Sequence, residues 1–229
     1  MLPDARELGS RIEAHGENMS ITTLILASGR SPALGYAKAN LRIGSQTFIE
    51  KVALTARSCG SEALIIAVGE DNDPFQCSRK DVQPIVQRYR AAPISVTVAK
   101  PEQSKLQTIV DSLKMVQPSG RVLLWPIDYP FADSKTVKSL LESFSKSEDK
   151  LAYPKLGAHM GYPILLGVAA LKRLLETPTR MSLGTFIQSQ GSKNCEVPTT
   201  DPRVVISVNL PEQAAALGVK SPEQFRRYS

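Results

Sequence analysis

"TLILASGRSPALGYAKANLRIG", residues 23–44, decides how the rest of the chain is read. A run of aliphatic residues empties into a loop carrying Gly29, Arg30, Ser31, Gly35 and Lys38, then turns apolar again. A buried strand followed at once by a flexible cationic loop suits an anion at the strand's end. Gly29 and Gly35 permit positive φ and let main-chain amides approach an oxyanion closely. Arg30 can grip phosphate through a two-pronged fork, and Lys38 as a point charge. The spacing is neither GxxxxGK[ST] nor GxGxxG. By itself the loop is equally an ordinary strand-to-helix turn with solvated cations.

The surroundings of this stretch set the fold class. "ITTLILA" (21–27), "EALIIAV" (62–68), "ISVTV" (94–98), "RVLLWPI" (121–127) and "RVVISV" (203–208) have strand length and are almost continuously apolar. That pattern belongs to parallel strands covered on both faces. Between them, "QTFIEKVALTARSCG" ends at Gly60, "SKLQTIVDSLKMVQP" starts at Ser104 and stops before Pro118, and "DSKTVKSLLESF" starts at Asp133 or Ser134. These are helices with cap residues in place. Alternating strands and helices imply right-handed crossovers and an α/β sandwich of three layers, a mostly parallel sheet between helices. From residue 151 the alternation loosens. "LAYPKLGAHMGYPILLG" reads as a strand or hairpin forming a small β insertion, "VAALKRLLE" as a helix, and 203–208 as a late strand rejoining the sheet, bounded by Pro198 and Pro202. Residues 1–19 read as an N-terminal extension, a short amphipathic helix or a frayed end, and residues 20–229 as one domain.

Bulk properties narrow the partners. Among 229 residues, 28 Lys and Arg outweigh 22 Asp and Glu, for a formal charge of +6, which favours anionic ligands. The cations are scattered and not interleaved with aromatics, so nucleic acid is not the expected partner. Cys59, Cys77 and Cys195 are odd in number and lack CxxC spacing, which argues for a reducing compartment and against disulfides or zinc. The first twenty residues have no apolar core of a signal peptide. No apolar run reaches the roughly 18 residues of a membrane span. A cytoplasmic location away from membranes is expected.

In an open parallel sheet, ligands lie beyond the carboxyl ends of the strands. Two further strand ends carry polar residues suited to that edge. "LLWPIDYPF" puts Asp128 just after a strand, where it can hold a divalent cation or cap the turn before Tyr129-Pro130. "VISVNLPEQ" puts Asn209 before Pro211 and Glu212, as a helix cap or a neutral oxygen ligand. In "HMGYPILLG", Gly161 allows a tight approach, and taken alone the segment is a turn. A glycine-cation loop, an acid and an amide on one edge suit a metal–polyphosphate substrate.

At these positions the chain resembles the MobA-like NTP transferases over residues 20 to 218. Their opening signature L-x-A-x-G-x-S-x-R-M-G-x-x-K is matched by Leu24, Leu26, Ala27, Gly29, Arg30, Ser31, Leu34, Gly35 and Lys38. Asp128 and Pro130 resemble the D-x-P metal motif, and Gly161-Tyr162-Pro163 the G-H-P of the cytidylyltransferase branch. Asn209, Pro211 and Glu212 resemble the closing D-x-[DN]-T-P-E-D motif, and Thr108 takes the serine position of a G-x-x-x-S-[IL] helix start. Departures fall at Ala33 for the family Arg, Ser104 for Gly, Tyr162 for His, Ser207 for the first acid and Leu210 for Thr.

The resemblance implies a Rossmann-like nucleotidyltransferase that moves a nucleoside monophosphate from a triphosphate to a phosphorylated acceptor such as molybdopterin, releasing pyrophosphate. Nucleotide contacts would come from Leu26, Ala27, Ser28, Gly29, Arg30, Gly35, Lys38 and Thr108. Asp128 and Asn209 would hold Mg²⁺, with Lys38, Arg30 and Asp128 in the catalytic roles. Gly161, Tyr162 and Pro163 would face the acceptor. "LASG" and "GYP" lean toward CTP over GTP. A sugar-phosphate or phosphocholine-type acceptor, and a non-catalytic nucleotide-binding protein, are the alternative readings.

Overall fold

A computed structural model of the chain describes residues 20–89, 91–144 and 150–223; the reading of residues 1–19 lies outside them. In chain order the strands are β1 (Ile21–Leu26), β2 (Arg42–Ile43), β3 (Gln46–Thr47), β4 (Ala63–Val68), β5 (Ile94–Val98), β6 (Arg121–Pro126), β7 (Leu151–Leu156), β8 (His159–Met160), β9 (Ile164–Leu166) and β10 (Asn194–Pro198). The helices are α1 (Phe48–Ser58), α2 (Arg79–Arg88), α3 (Lys105–Val116), α4 (Ser134–Ser143), α5 (Val168–Glu176), α6 (Leu183–Ser189) and α7 (Pro211–Ala216).

The main sheet runs β10-β7-β9-β6-β1-β4-β5, with β8 paired to β7. β1 lies between β6 and β4, parallel to both, with Leu24 opposite Leu124 on one side and Ile65 on the other. β9 is antiparallel to β6 and β7. Near-continuous apolar strands follow from this placement, because successive side chains enter opposite layers. Ile25, Ile66 and Trp125 face the layer containing Phe48, Val52, Val137 and Leu140. Leu24, Ile65 and Leu124 face Leu106, Ile109, Leu113, Leu174 and Phe186. The expected three-layer α/β sandwich is the observed one.

Local capping sets where the helices begin. Thr47 and Glu50 form a reciprocal box at α1, the Glu50 amide donating to Thr47 Oγ1 and the Thr47 amide to Glu50 Oε2. Ser104 Oγ accepts from the Gln107 amide at α3, and Asp133 Oδ1 from the Thr136 amide at α4. Gly60, at φ +93°, closes α1.

The structure differs from the sequence expectation in three places. Residues 203–208 form no strand: Pro202–Val204 is a 3₁₀ turn capped by Asp201, and the backbone then bonds to scattered partners. The Tyr162 amide donates to Val204 O, and the Val208 amide to Asp128 O. Val204 and Val208 are fully buried, but as anchors of a loop. Pro198 therefore ends a strand, β10, which pairs with β7 and carries few apolar residues. Secondly, 151–166 is no separate subdomain. The β7–β8 hairpin is present, yet β7 and β9 extend the main sheet. Thirdly, α2 lies between β4 and β5, where the apolar pattern assigns nothing, since only Val82 and Ile85 of its residues are buried and Pro84 interrupts its bonding.

Candidate active site

β1 and β6 end side by side, and the Ile127 amide donates to Leu26 O, so Asp128 emerges next to the start of the 28–38 loop. Two 3₁₀ turns, Pro32–Leu34 and Lys38–Asn40, fold that loop back on itself. Ser31 pins it, with Oγ donating to Tyr36 O at 2.7 Å and its amide donating to Phe75 O. Gly35 ends the first turn at φ +80°, where a side chain would be strained. Gly29 does not take positive φ, contrary to the sequence expectation. A Cβ there would meet no protein atom within 4 Å, so the fold itself does not demand glycine at that point.

A cavity of about 170 Å³ opens at this edge. Leu26, Ser28, Gly29, Arg30, Thr108 and Asp128 all line it. Ala27 is buried and its amide donates to Ala67 O, while Gly35, Lys38, Asn209 and residues 161–163 lie off the lining. Gln76, Lys100 and Lys105 also line the cavity, and the sequence reading passed over all three. Gln76 Nε2 donates to Ser28 O and its Oε1 accepts from the Glu70 amide, tying the loop to the end of β4. Lys100 and Lys105 follow β5. The strand-end rule applied to β1, β6 and residues 203–208 finds Lys100 when extended to "ISVTVAK", whereas Lys105 opens α3 and carries no such signal.

Asp128, Lys38 and Asn209 meet in space. Lys38 Nζ donates to Asp128 Oδ1 at 3.2 Å and to Asn209 Oδ1 at 2.5 Å, and the lysine side chain is 11% exposed. Asn209 is not the cap of α7, because Leu210 holds that position. Gln213 Oε1 accepts from both the Asn209 and Leu210 amides, which leaves the Asn209 side chain to face Lys38. Arg30 uses its Nε to hold Asp73 at 2.6 Å and stacks over Phe75, its side chain 55% exposed.

Beside Asp128, the Tyr129 and Tyr162 rings pack with centroids 4.5 Å apart. Burial, then the neighbouring Tyr129 and Asp128, push the Tyr162 phenol up to about 12. Burial and the Asp128 charge also raise Tyr129, partly offset by the Ser207 hydroxyl. The Gly161 amide donates to Pro154 O and the Tyr162–Pro163 bond is cis.

The donor set suits a particular kind of cation. Asp128 Oδ1 and Asn209 Oδ1 already share one positive charge, so the two oxygens can face a common ion. Among the described residues no cluster of three or more His, Cys, Asp or Glu side chains occurs. One carboxylate and one amide oxygen fit Mg²⁺ or Mn²⁺, which retain water and take phosphate oxygens, better than an all-protein zinc or calcium cage.

The architecture is that of the nucleotide-diphospho-sugar transferase fold. The model of the MobA-like NTP transferase domain matches residues 23–194, and the chain belongs to that family, as the sequence motifs led us to expect. No curated protein sequence matches the chain. Three solved structures share the fold at low identity. Rv0371c of Mycobacterium tuberculosis in complex with manganese is 19% identical, covering 86% of this chain and 97% of its own, with a TM-score of 0.58. A 4-diphosphocytidyl-2C-methyl-D-erythritol synthase is 14% identical, covering 87% and 98%, with a TM-score of 0.64. A putative glucose-1-phosphate thymidylyltransferase from Bacillus anthracis, in complex with a sucrose, is 13% identical, covering 86% and 95%, with a TM-score of 0.68. Among the described residues no helix is long and apolar enough to cross a membrane.

Proposed function

We propose that the protein transfers CMP from CTP to a phosphorylated small-molecule acceptor such as molybdopterin, with Mg²⁺ as cofactor. The observation that carries this reading is the junction of Lys38, Asp128 and Asn209 at the edge of a cavity walled by Ser28, Gly29 and Arg30. An acceptor phosphate oxygen attacks the α-phosphorus, the bond from that phosphorus to the bridging oxygen breaks, and pyrophosphate leaves. A phosphate nucleophile is already ionised, so no general base is required; the work is positioning and charge stabilisation.

In this scheme the loop amides at 28–35, Arg30 and Lys38 hold the triphosphate. Arg30 keeps its two terminal nitrogens for phosphate while Nε holds Asp73. Lys100 and Lys105 add charge to the cavity lining. Asp128 and Asn209 hold the metal, which when bound neutralises phosphate charge. The cavity is smaller than the roughly 300 Å³ at which ligand pockets begin, so it would seat the base and ribose while the phosphates lie over the loop. The cytidylyl group in the name of one fold neighbour supports the choice of CTP. Gly161, Tyr162 and Pro163 face the acceptor, the Tyr129–Tyr162 pair offering an aromatic surface to a planar ring. A sugar phosphate is the second reading of the acceptor, favoured by the sugar-nucleotide enzyme among the fold neighbours.

The test is a thermal-shift panel of the four nucleoside triphosphates with Mg²⁺, followed by pyrophosphate release with molybdopterin. CTP should stabilise most, and Lys38→Ala should cut release by about 10²–10³-fold with the fold intact. Stabilisation without release with molybdopterin or with a sugar phosphate would replace the proposal by a non-catalytic nucleotide-binding protein, the reading that Ala33 and Ser207 favour. No stabilisation by any triphosphate would end it.

A further inference from the structure

Lys38 stands where the metal should. Its ammonium shares Asp128 Oδ1 at 3.2 Å and Asn209 Oδ1 at 2.5 Å, the two oxygens proposed above as metal ligands. A magnesium ion would take the same oxygens at about 2.1 Å. The two cations would then lie almost in contact, a monovalent and a divalent charge on one carboxylate, so occupancy by one excludes the other. Little solvent is available to screen that repulsion, since the lysine side chain is 11% exposed and the Asp128 side chain 25%.

The surroundings show how the exclusion is relieved. Lys38 opens the short 3₁₀ turn that ends the glycine loop, and four flexible carbons separate its charge from the backbone. The backbone of Asp128 and the Asn209 amide are more firmly held. The Val208 amide donates to Asp128 O, binding the two ligand-bearing segments together, while Asn209 Nδ2 donates to Ser207 Oγ and its amide to Gln213 Oε1. When the site changes hands the lysine is the part that swings. An ammonium leaving a carboxylate needs another anion, and a triphosphate over residues 28–35 supplies it.

We propose that Lys38 is a resident cation that bars free divalent metal from Asp128 and Asn209, so that the ligand this site accepts is a preformed metal–nucleotide chelate. The inference rests on the metal-site reading given under the proposed function. It assigns Lys38 two successive anions: the ligand pair in the free protein and the phosphates in the complex. Free metal and free nucleotide are then each poor ligands, and the chelate is the good one.

Mn²⁺ alone, followed by the electron paramagnetic resonance of the unbound ion, tests this without turnover. Wild type, Lys38→Met, Lys38→Gln, Asp128→Asn and the double variant Lys38→Met/Asp128→Asn are titrated, each checked for a cooperative melt. The second neutral substitution keeps the test alive should the first fail to fold. Removing the ammonium should tighten nucleotide-free Mn²⁺ binding at least tenfold, and Asp128→Asn should abolish that gain. Equal affinity in wild type and both Lys38 variants, with Asp128→Asn still weakening binding, would overturn the exclusion and leave the metal site standing. Mn²⁺ affinity indifferent to Asp128→Asn in both backgrounds would remove the metal site and this proposal with it.

Discussion

Substituting Gly161 by Ala puts a new Cβ 2.6 Å from Val204 Cγ2, 2.8 Å from Val204 Cβ and 2.9 Å from Val204 O. All three separations are shorter than real Cβ contacts, and the last is to main chain, so no side-chain rotation relieves it. Overpacking of this kind costs roughly 1–3 kcal/mol. Val204 O also accepts the Tyr162 amide at 2.9 Å, and pushing it aside weakens that bond, worth about 0.5–1.5 kcal/mol. A loss of about 1.5–4.5 kcal/mol is expected in all. For a chain of this size each kcal/mol lowers the melting temperature by roughly 2–4 °C, so Gly161→Ala should melt roughly 3–18 °C below wild type. The displacement also carries Tyr162 off Tyr129 and spoils the acceptor side alone. CTP should therefore still stabilise the variant, while KM for the acceptor rises. Adding Val204→Ala removes the nearest clashing atom and should restore part of the loss. Urea unfolding of Gly161→Ala within about 0.5 kcal/mol of wild type, the range of an unremarkable surface change, would refute the reasoning.

Trp125 is fully buried and its Nε1 donates to Tyr129 O at 2.9 Å, bracing the turn that carries Asp128. Trp125→Phe should lower unfolding free energy by roughly 1–3 kcal/mol and weaken Mn²⁺ binding, read by urea titration and by the resonance of the free ion. Tyr153 and Tyr162 titrate late, both pushed up to about 12, Tyr162 by burial and then Tyr129 and Asp128, Tyr153 by burial and then Glu196. A raised phenol pKa means the folded state holds its proton longer than the unfolded one. The stabilisation is whole below about pH 10 and is lost as pH climbs from there through about 12. Phenolate absorbance should show Tyr153 and Tyr162 ionising late, with Tyr129 raised as well, and Tyr162→Phe should remove one of the late transitions.

Much of the fold is legible in residues close together in sequence. Apolar runs at 21–27, 62–68 and 121–127 mark strands covered on both faces, because few polar residues interrupt them and those inside β1, Thr22 and Thr23, are themselves buried. Thr47, Ser104 and Asp133 cap helices through bonds reaching three residues along the chain. The motifs at 24–38, 128–130, 161–163 and 209–212, taken in order along the chain, suggest the family, whose model matches residues 23–194. The pattern fails where burial and hydrogen bonding part company. "RVVISV" is as apolar as a strand, yet its amides bond to a proline carbonyl and to Asp128 O, and its valines serve as anchors. "NCEVP" is a strand despite a polar composition, because at the sheet's edge β7 supplies its backbone partners and of its residues just Val197 is buried.

By itself, then, the amino-acid sequence determines the alternation of elements, the sandwich they form and the loop that can cradle an anion, since each depends on local periodicity and short-range bonds. Tertiary structure alone decides that Lys38 spans 90 residues to Asp128 and 171 to Asn209. It also decides that Lys100 and Lys105 share a cavity with Gly29. Which strand ends become neighbours is set by sheet order, and sheet order follows from how the covered faces pack. No window along the chain contains that information.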